Sequence, residues 1–199
     1  MMEDEIQLEK EILDRIAARD AMGFDLMVET YGPMLYRYAL RMCGEVAEAK
    51  DALQETFLAA QEKIGQFRGE GRLRNWLFKI TTNACRQKLR RKQGRLATEL
   101  RLEDILTAHD EAADHEPAAW QLSSLDQMLS EEMVGKLTAA IAKVPANNRS
   151  VLVLRDLEGL STRETAEALE ISEEAVKVRL HRARAFVRNL LRDYFEGKE

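Results

Sequence analysis

Lys177, Arg179, Arg182, Arg184 and Arg188 follow one another with no acidic residue between them. Ammonium and guanidinium groups at this density neutralise phosphate, and arginine also reads base edges in a groove. A second set, Asn75, Lys79, Thr82, Asn83, Arg86 and Arg90, recurs at steps of three and four and pairs amides with cations. Asn can hydrogen-bond a base edge while Lys and Arg hold the backbone. The residues of conventional catalysis are sparse. His109, His115 and His181 are scattered, and no P-loop, Gly-x-Ser-x-Gly or HExxH pattern occurs. Cys43 and Cys85 form no CxxC, so they read as reduced packing thiols, with any redox role left open, and four clustered zinc ligands are lacking. No catalytic residue, metal, cofactor or small-molecule substrate is expected.

Charge is sorted along the chain. The 199 residues carry 30 Lys and Arg against 35 Asp and Glu, a net −5 that by itself argues against a nucleic-acid binder. From Arg68 to Lys92, however, nine cations face one acid, Glu70; from Arg95 to Lys136 three cations face ten acids; from Lys177 to Arg192 six cations face none. Two basic modules separated by an acidic connector follow from this pattern. No secretory signal pattern and no uncharged apolar run of membrane-spanning length is visible, so a cytoplasmic protein without membrane insertion is expected.

The elements that must position these side chains are helical throughout. Ser161 with Glu164 forms a capping box, and Ser172 caps a second helix whose stripe is Ala175, Val176, Leu180, Ala183 and Val187. The pair reads as a helix-turn-helix, with Glu170 where the turn ordinarily takes Gly. Lys177, Val178, His181 and Arg182 share its outward face. Upstream, amphipathic helices are expected over about 6–18 and from Asp20, with Gly32-Pro33 as a break before a further helix to Gly44. The segment 46–64 has a core stripe of Leu53, Phe57, Ala60 and Ile64. Its other stripe, Asp51, Glu55, Leu58 and Glu62, is either a solvated face or a protein-binding surface. A Gly-rich loop with Phe67, Arg68 and Glu70 precedes a helix over 73–92, in which Trp76 reads as a core anchor. Pro145 stops another helix, with Asn147 or Asn148 as the next cap, and Arg155 is placed to reach phosphate.

With these pieces in order, the chain resembles the extracytoplasmic-function (ECF, group IV) sigma factors of the sigma-70 family, initiation subunits of bacterial RNA polymerase. DALQETFLAAQEKI and FRGEGRLRNWLFKITTNACRQKLRR are similar to the family's region 2; VPANNRSVLVLRDLEGLSTRETAEALEISEEAVKVRLHRARAFVR is similar to region 4. The resemblance implies an all-α fold of two small helical domains, 1–94 and 134–199, joined by a flexible acidic linker at 95–133. It further implies that Asp51, Gln54, Glu55 and Leu58 dock on the clamp helices of the polymerase's largest subunit, with the flap as a further core contact. Asn83, Lys79, Arg86, Phe67, Arg68 and Trp76 would then capture a flipped base of the promoter's −10 element. Lys177, Val178, His181 and Arg182 would read the −35 element, with Arg155, Arg179 and Arg184 on phosphates. Gln61 stands where the family often has Trp, and Val178 where a small polar residue is common. An anti-sigma protein is an implied regulator. The rival reading is a stand-alone helix-turn-helix regulator, which needs a dimer surface and symmetric half-sites.

Overall fold

The computed structural model describes residues 2–67, 69, 71–93 and 131–195. Among the described residues every regular element is helical. In chain order they are α1 (Met2–Ala17), α2 (Ala21–Cys43), α3 (Val46–Lys63) with a short 3₁₀ turn at Ile64–Gln66, α4 (Leu73–Gln93), α5 (Glu131–Lys143), α6 (Ala146–Leu152) continued by a π turn at Val153–Leu157, α7 (Thr162–Leu169) and α8 (Glu173–Phe195). Arg68, Glu70 and the acidic stretch at 94–130 lie outside the described residues, and with them the path of the linker; α5 begins at Glu131, inside the stretch expected to connect the halves.

The amino-terminal half is a bundle built on α2, which packs on α1, α3 and α4. Asp20 caps α2 by accepting from Met22 N at 3.0 Å, and Gly44 ends it in the left-handed region with φ 79°. The expected break at Gly32-Pro33 is absent, since α2 runs through both residues. Pro33 removes one backbone donor, but Tyr31, Gly32 and Leu35 are buried on either side of it, and their packing holds the helix across the defect. Ile12, Met27, Leu35, Tyr38, Met42, Leu73, Leu77 and Phe78 are fully buried. Tyr38 meets Phe78 edge to face at 5.2 Å, and its hydroxyl lies 2.7 Å from Thr82 Oγ1. Burial pushes the Tyr38 phenol well above its ordinary pKa.

The carboxy-terminal half packs α8 across α6, α7 and α5. Pro145, rather than Asn147 or Asn148, stands at the start of α6, and Asn148 is buried. Proline suits a helix start because its missing N–H has no intrahelical partner there in any case. Ser161 Oγ accepts from Glu164 N at 3.1 Å while Glu164 returns a bond to Ser161 N at 2.8 Å, which completes the expected capping box. Ser172 Oγ accepts from Ala175 N at 3.1 Å. Glu170 takes the left-handed turn position with φ 54°.

The halves touch. Arg149, buried at the start of the carboxy-terminal bundle, donates to Val144 O (2.9 Å) and Ala142 O of its own half and to Met42 O (2.5 Å) at the end of α2. Burial lowers its pKa, and the three carbonyls supply the acceptors its guanidinium would otherwise find in water.

One close approach sets the angle between α1 and α2. A Cβ placed on Gly23 would lie 2.8 Å from both Arg15 Cβ and Ile16 N, and the second of these is backbone that cannot rotate away. Gly23→Ala is therefore expected to destabilise the protein by about 1–3 kcal/mol through overpacking, despite the better helix propensity of Ala, as measured by urea unfolding.

Candidate nucleic-acid interface

The first basic surface is one side of α4. Its amino terminus is capped from another element: Glu9 of α1, 8% exposed, accepts from Leu73 N at 2.7 Å and from Arg72 Nε at 2.8 Å. Glu9 thus satisfies a helix-end donor and balances the arginine beside it. Tyr31 lies under this pair, and burial, with the Glu9 charge adding to it, pushes its phenol up to about 12. The 64-residue separation between Glu9 and Leu73 leaves no local signal in sequence.

Beyond that cap, Phe67 and Trp76 pack at 5.6 Å with their planes tilted by 50°. Together with Lys79 they line an open cavity of about 490 Å³ that also takes in Gln66, Gly71, Arg72 and Asn75 of the same half and Arg163 and Glu167 of the other. Asn83 is exposed but is not in the lining, and Arg86 is half-buried beneath α6, 3.4 Å from Ser150 Oγ. Burial lowers the Arg86 pKa, with Arg179 and Arg90 acting in the same direction. Arg68 lies outside the described residues. The expected face of amides and cations therefore divides. Asn75 and Thr82 are buried, Thr82 against Tyr38, while Asn83 and Arg90 are exposed.

On α3, Asp51, Gln54 and Leu58 are exposed and Glu55 is half-exposed, so these four side chains form an outward surface. Leu58 is 54% exposed on the same face as Asp51 and Glu55. The carboxylates are organised by Lys88 of α4, which lies 3.1 Å from Glu55, 3.6 Å from Asp51 and 4.0 Å from Glu48. Burial disfavours the Lys88 ammonium, but the bond to Glu55 and the charges of Glu55, Asp51 and Glu48 outweigh it and hold its pKa above the ordinary value. Lys88 lies within the basic segment of the sequence, yet structurally it serves the acidic face.

The second basic surface is α8. Lys177, His181, Arg182 and Arg188 are exposed, Val178 is 50% exposed and Arg179 half-buried, while Val176, Leu180, Ala183, Phe186, Val187 and Leu191 face the core. Glu174 in its first turn has its carboxyl held below the ordinary value by its own backbone N–H and by Ser172. Two arginines expected on phosphate are engaged internally. Arg184 makes a two-point pair with the buried Asp156 at 2.9 and 2.7 Å, and Arg155 donates to Leu160 O. Both brace the helix-turn-helix, Arg184 by fixing α8 to the π turn and Arg155 by holding the bend at Gly159.

This arrangement offers two cationic helices, one beside an aromatic-lined cavity and one presented by a capped helix-turn-helix. Residues 27–95 match the family model for sigma-70 region 2, and residues 135–187 match that for sigma-70 region 4. The chain is 31% identical, across 92% of its length and 97% of the relative's, to the ECF RNA polymerase sigma factor SigW of Bacillus subtilis. The chain belongs to the ECF sigma factors. It is also 30% identical to the ECF RNA polymerase sigma factor SigM of Mycobacterium tuberculosis, over 91% of this chain and 83% of that one. Its fold is shared with the sigma factor RpoE of Bartonella quintana, solved in complex with the anti-sigma factor NepR (TM-score 0.62, 22% identity, 85% of this chain and 96% of that one). It is shared too with CnrH, solved with the cytosolic domain of CnrY (TM-score 0.64, 24% identity, 92% and 97%). As a sigma factor, the protein is a transcription initiation factor that directs RNA polymerase to promoters. Among the described residues no helix is long and apolar enough to cross a membrane.

The cap from Glu9 generates a test of how the cavity is held. Glu9→Ala removes the acceptor of a buried N–H and should cost about 1–2 kcal/mol, with faster hydrogen exchange at the Leu73 amide. Glu9→Gln, which keeps an acceptor oxygen, should recover most of that protection.

Proposed function

We propose that the protein binds RNA polymerase core through the α3 surface of Asp51, Gln54, Glu55 and Leu58, with Lys88 holding the carboxylates in place. The resemblance of these positions to the family's clamp-docking face supports this reading, as does an exposed leucine within an acidic patch, which suits a protein partner. The chain then divides into a region 2 domain at 1–94, an acidic linker at 95–133 and a region 4 domain at 134–199. Phe67, Trp76 and Lys79 line the cavity that takes the extruded −10 base, with Arg68, Asn83 and Arg86 on the adjoining strand. Lys177, Val178, His181 and Arg182 read the −35 element in the major groove, and Arg179 contacts phosphate. Arg155 and Arg184 act on DNA through the shape of the motif they brace, rather than by direct contact.

The observation that carries this reading is that the two family matches fall on the two cationic helices, α4 and α8, in the family's order. No chemistry is assigned to the chain itself. Phosphate contacts supply affinity, base contacts select the promoter, and capture of the extruded base offsets an unpairing cost of a few kcal/mol. The protein acts in the cytoplasm. The two fold relatives were solved in complex with an anti-sigma factor and with the cytosolic domain of CnrY, which supports a regulatory protein partner of the same kind here.

Run-off transcription with purified core, on DNA upstream of the protein's own gene and on a panel of promoters read by ECF factors, tests the reading. A start site that requires the protein is expected. Asn83→Ala and Arg182→Ala should each weaken it by about tenfold, the worth of one good base contact of 1–3 kcal/mol. Sequence-specific binding to a palindrome without core, together with no stimulated transcript, would instead establish a stand-alone regulator.

A further inference from the structure

The two cysteines meet inside the amino-terminal bundle. Tyr38 of α2 packs on Phe78 of α4 at 5.2 Å and lies 2.7 Å from Thr82 Oγ1, which fixes the register of the two helices. Five residues beyond Tyr38 comes Cys43, three residues beyond Thr82 comes Cys85, and the two thiols share a hydrogen bond. Both are free, Cys43 at 8% exposure and Cys85 at 0%.

The pair is not symmetric. The Cys85 thiol donates and the Cys43 sulfur accepts, which favours the Cys43 thiolate, and the charges of Lys88 and Arg149 act in the same direction. Burial and the charge of Glu48 oppose them without prevailing, so Cys43 is held below the ordinary thiol pKa, while the same bond and burial push Cys85 above it. Position adds to the difference. Cys43 is the last residue of α2, followed by the exposed Gly44, Glu45 and Val46, and a Cβ placed on Gly44 would meet open space. Cys85 lies deeper, within α4. Buried cysteines commonly serve as small apolar packing groups. Two thiols in contact, one at the rim beside an ammonium and a guanidinium, form instead a nucleophilic sulfur with a resolving one behind it.

We propose that Cys43 and Cys85 are a peroxide-responsive thiol pair, in which Cys43 is the sulfur that is oxidised and Cys85 the one that closes the disulfide. The oxidant is a hydroperoxide, hydrogen peroxide in the simplest case. The Cys43 thiolate attacks one peroxide oxygen; an S–O bond forms as the O–O bond breaks, and the departing hydroxide takes up a proton and leaves as water. The Cys85 sulfur then attacks that of Cys43, the S–S bond forms as the S–O bond breaks, and the hydroxyl leaves with the Cys85 proton as a second water. Two thiols thus lose two electrons and two protons, and the peroxide is reduced to two waters. The new bond ties the end of α2 to α4 one turn before Lys88, whose ammonium holds Glu55, Asp51 and Glu48. Oxidation therefore disturbs the acidic surface of α3. Its consequence for polymerase rests on the core-binding reading above; the disulfide does not.

Mapping the bond in the full-length chain tests the pair. The reduced protein is treated with hydrogen peroxide, quenched with an alkylating reagent under denaturing conditions and digested for mass spectrometry. A linkage between Cys43 and Cys85 of one chain is expected, closed to alkylation and reopened by dithiothreitol. It should form faster in the folded protein than in urea, because the fold brings the sulfurs together. Two free thiols after treatment, a bond between chains, or faster linkage in urea overturns the pair. Cys85→Ser, which lacks the resolving thiol, should accumulate a sulfenic acid at Cys43 that dimedone traps, and Cys43→Ser should give little adduct at Cys85. More adduct at Cys85 than at Cys43 overturns the assigned roles. The linkage map and the urea comparison use the unaltered chain, so they decide the matter even where a serine variant fails to fold.

Anisotropy of the protein labelled at its amino terminus and titrated with polymerase core tests the consequence. Affinity should fall on oxidation, return with dithiothreitol and stay unchanged in peroxide-treated Cys43→Ser. Equal affinities of the oxidised and reduced forms overturn the link to the α3 surface, whereas no binding by the reduced form counts against the core-binding reading alone.

Discussion

Helix α4 carries more positive charge than any other element of the amino-terminal half, and that charge has to be met inside a protein that is acidic as a whole. Its apolar side, Leu73, Leu77 and Phe78, is fixed in the bundle, so its cations project in every remaining direction. Three sets of acids from different elements answer part of this charge, while Arg90 and Arg91 are exposed. Arg72, just before its first residue, meets Glu9 and Glu5 of α1, Lys88 meets Glu55, Asp51 and Glu48 of α3, and Arg74 and Lys79 meet Glu164 and Glu170 of the other half. The first two sets stay within one bundle and shape it. The third spans the halves, beside the buried bond from Arg149 to Met42 O.

The carboxy-terminal half divides its arginines by the same logic. Arg184 and Arg155 carry the positive charge expected of a DNA-reading motif, yet both are used inward, against Asp156 and a turn carbonyl. A two-point guanidinium–carboxylate pair has fixed geometry, so Arg184 sets where α8 stands relative to the π turn. The exposed residues Lys177, His181 and Arg182 then inherit a defined direction. The position of α8 is set by arginines whose guanidinium groups turn inward.

Much of this was legible from sequence where the determining contacts are local. The capping box at Ser161 and Glu164, the Ser172 cap, the Asp20 cap and the left-handed turn at Glu170 all depend on residues within a few positions of one another, and each was found as expected. The break expected at Gly32-Pro33 failed because packing on both sides of Pro33 outweighs the loss of one helical hydrogen bond. Thr82 matched the period of the outward face of α4, but Tyr38 turns that edge inward. Glu9, Glu164 and Glu170 were not recognisable as partners of α4, since nothing in the spacing of Glu9 from Leu73, or of Lys79 from Glu170, records that they meet.

The strength of the contact between the halves follows from its chemistry. Ion pairs with partly exposed partners contribute about 0–1 kcal/mol each, and Arg74–Glu164 and Lys79–Glu170 are of this kind. The Arg41–Glu158 pair is more buried, and there desolvation dominates: burial raises the Glu158 carboxyl above its ordinary pKa despite the attraction of Arg41. A raised folded pKa contributes stability below the unfolded value and loses it as pH rises through the folded one, so at neutral pH Glu158 does not strengthen that contact. Glu164 behaves oppositely. Burial disfavours its charge, but the bonds from Ser161 and the charge of Arg74 prevail, its carboxyl is held below the ordinary value, and its contribution is present at neutral pH and lost on acidification. Glu164 and Glu158 thus respond to pH in opposite senses at the contact between the halves.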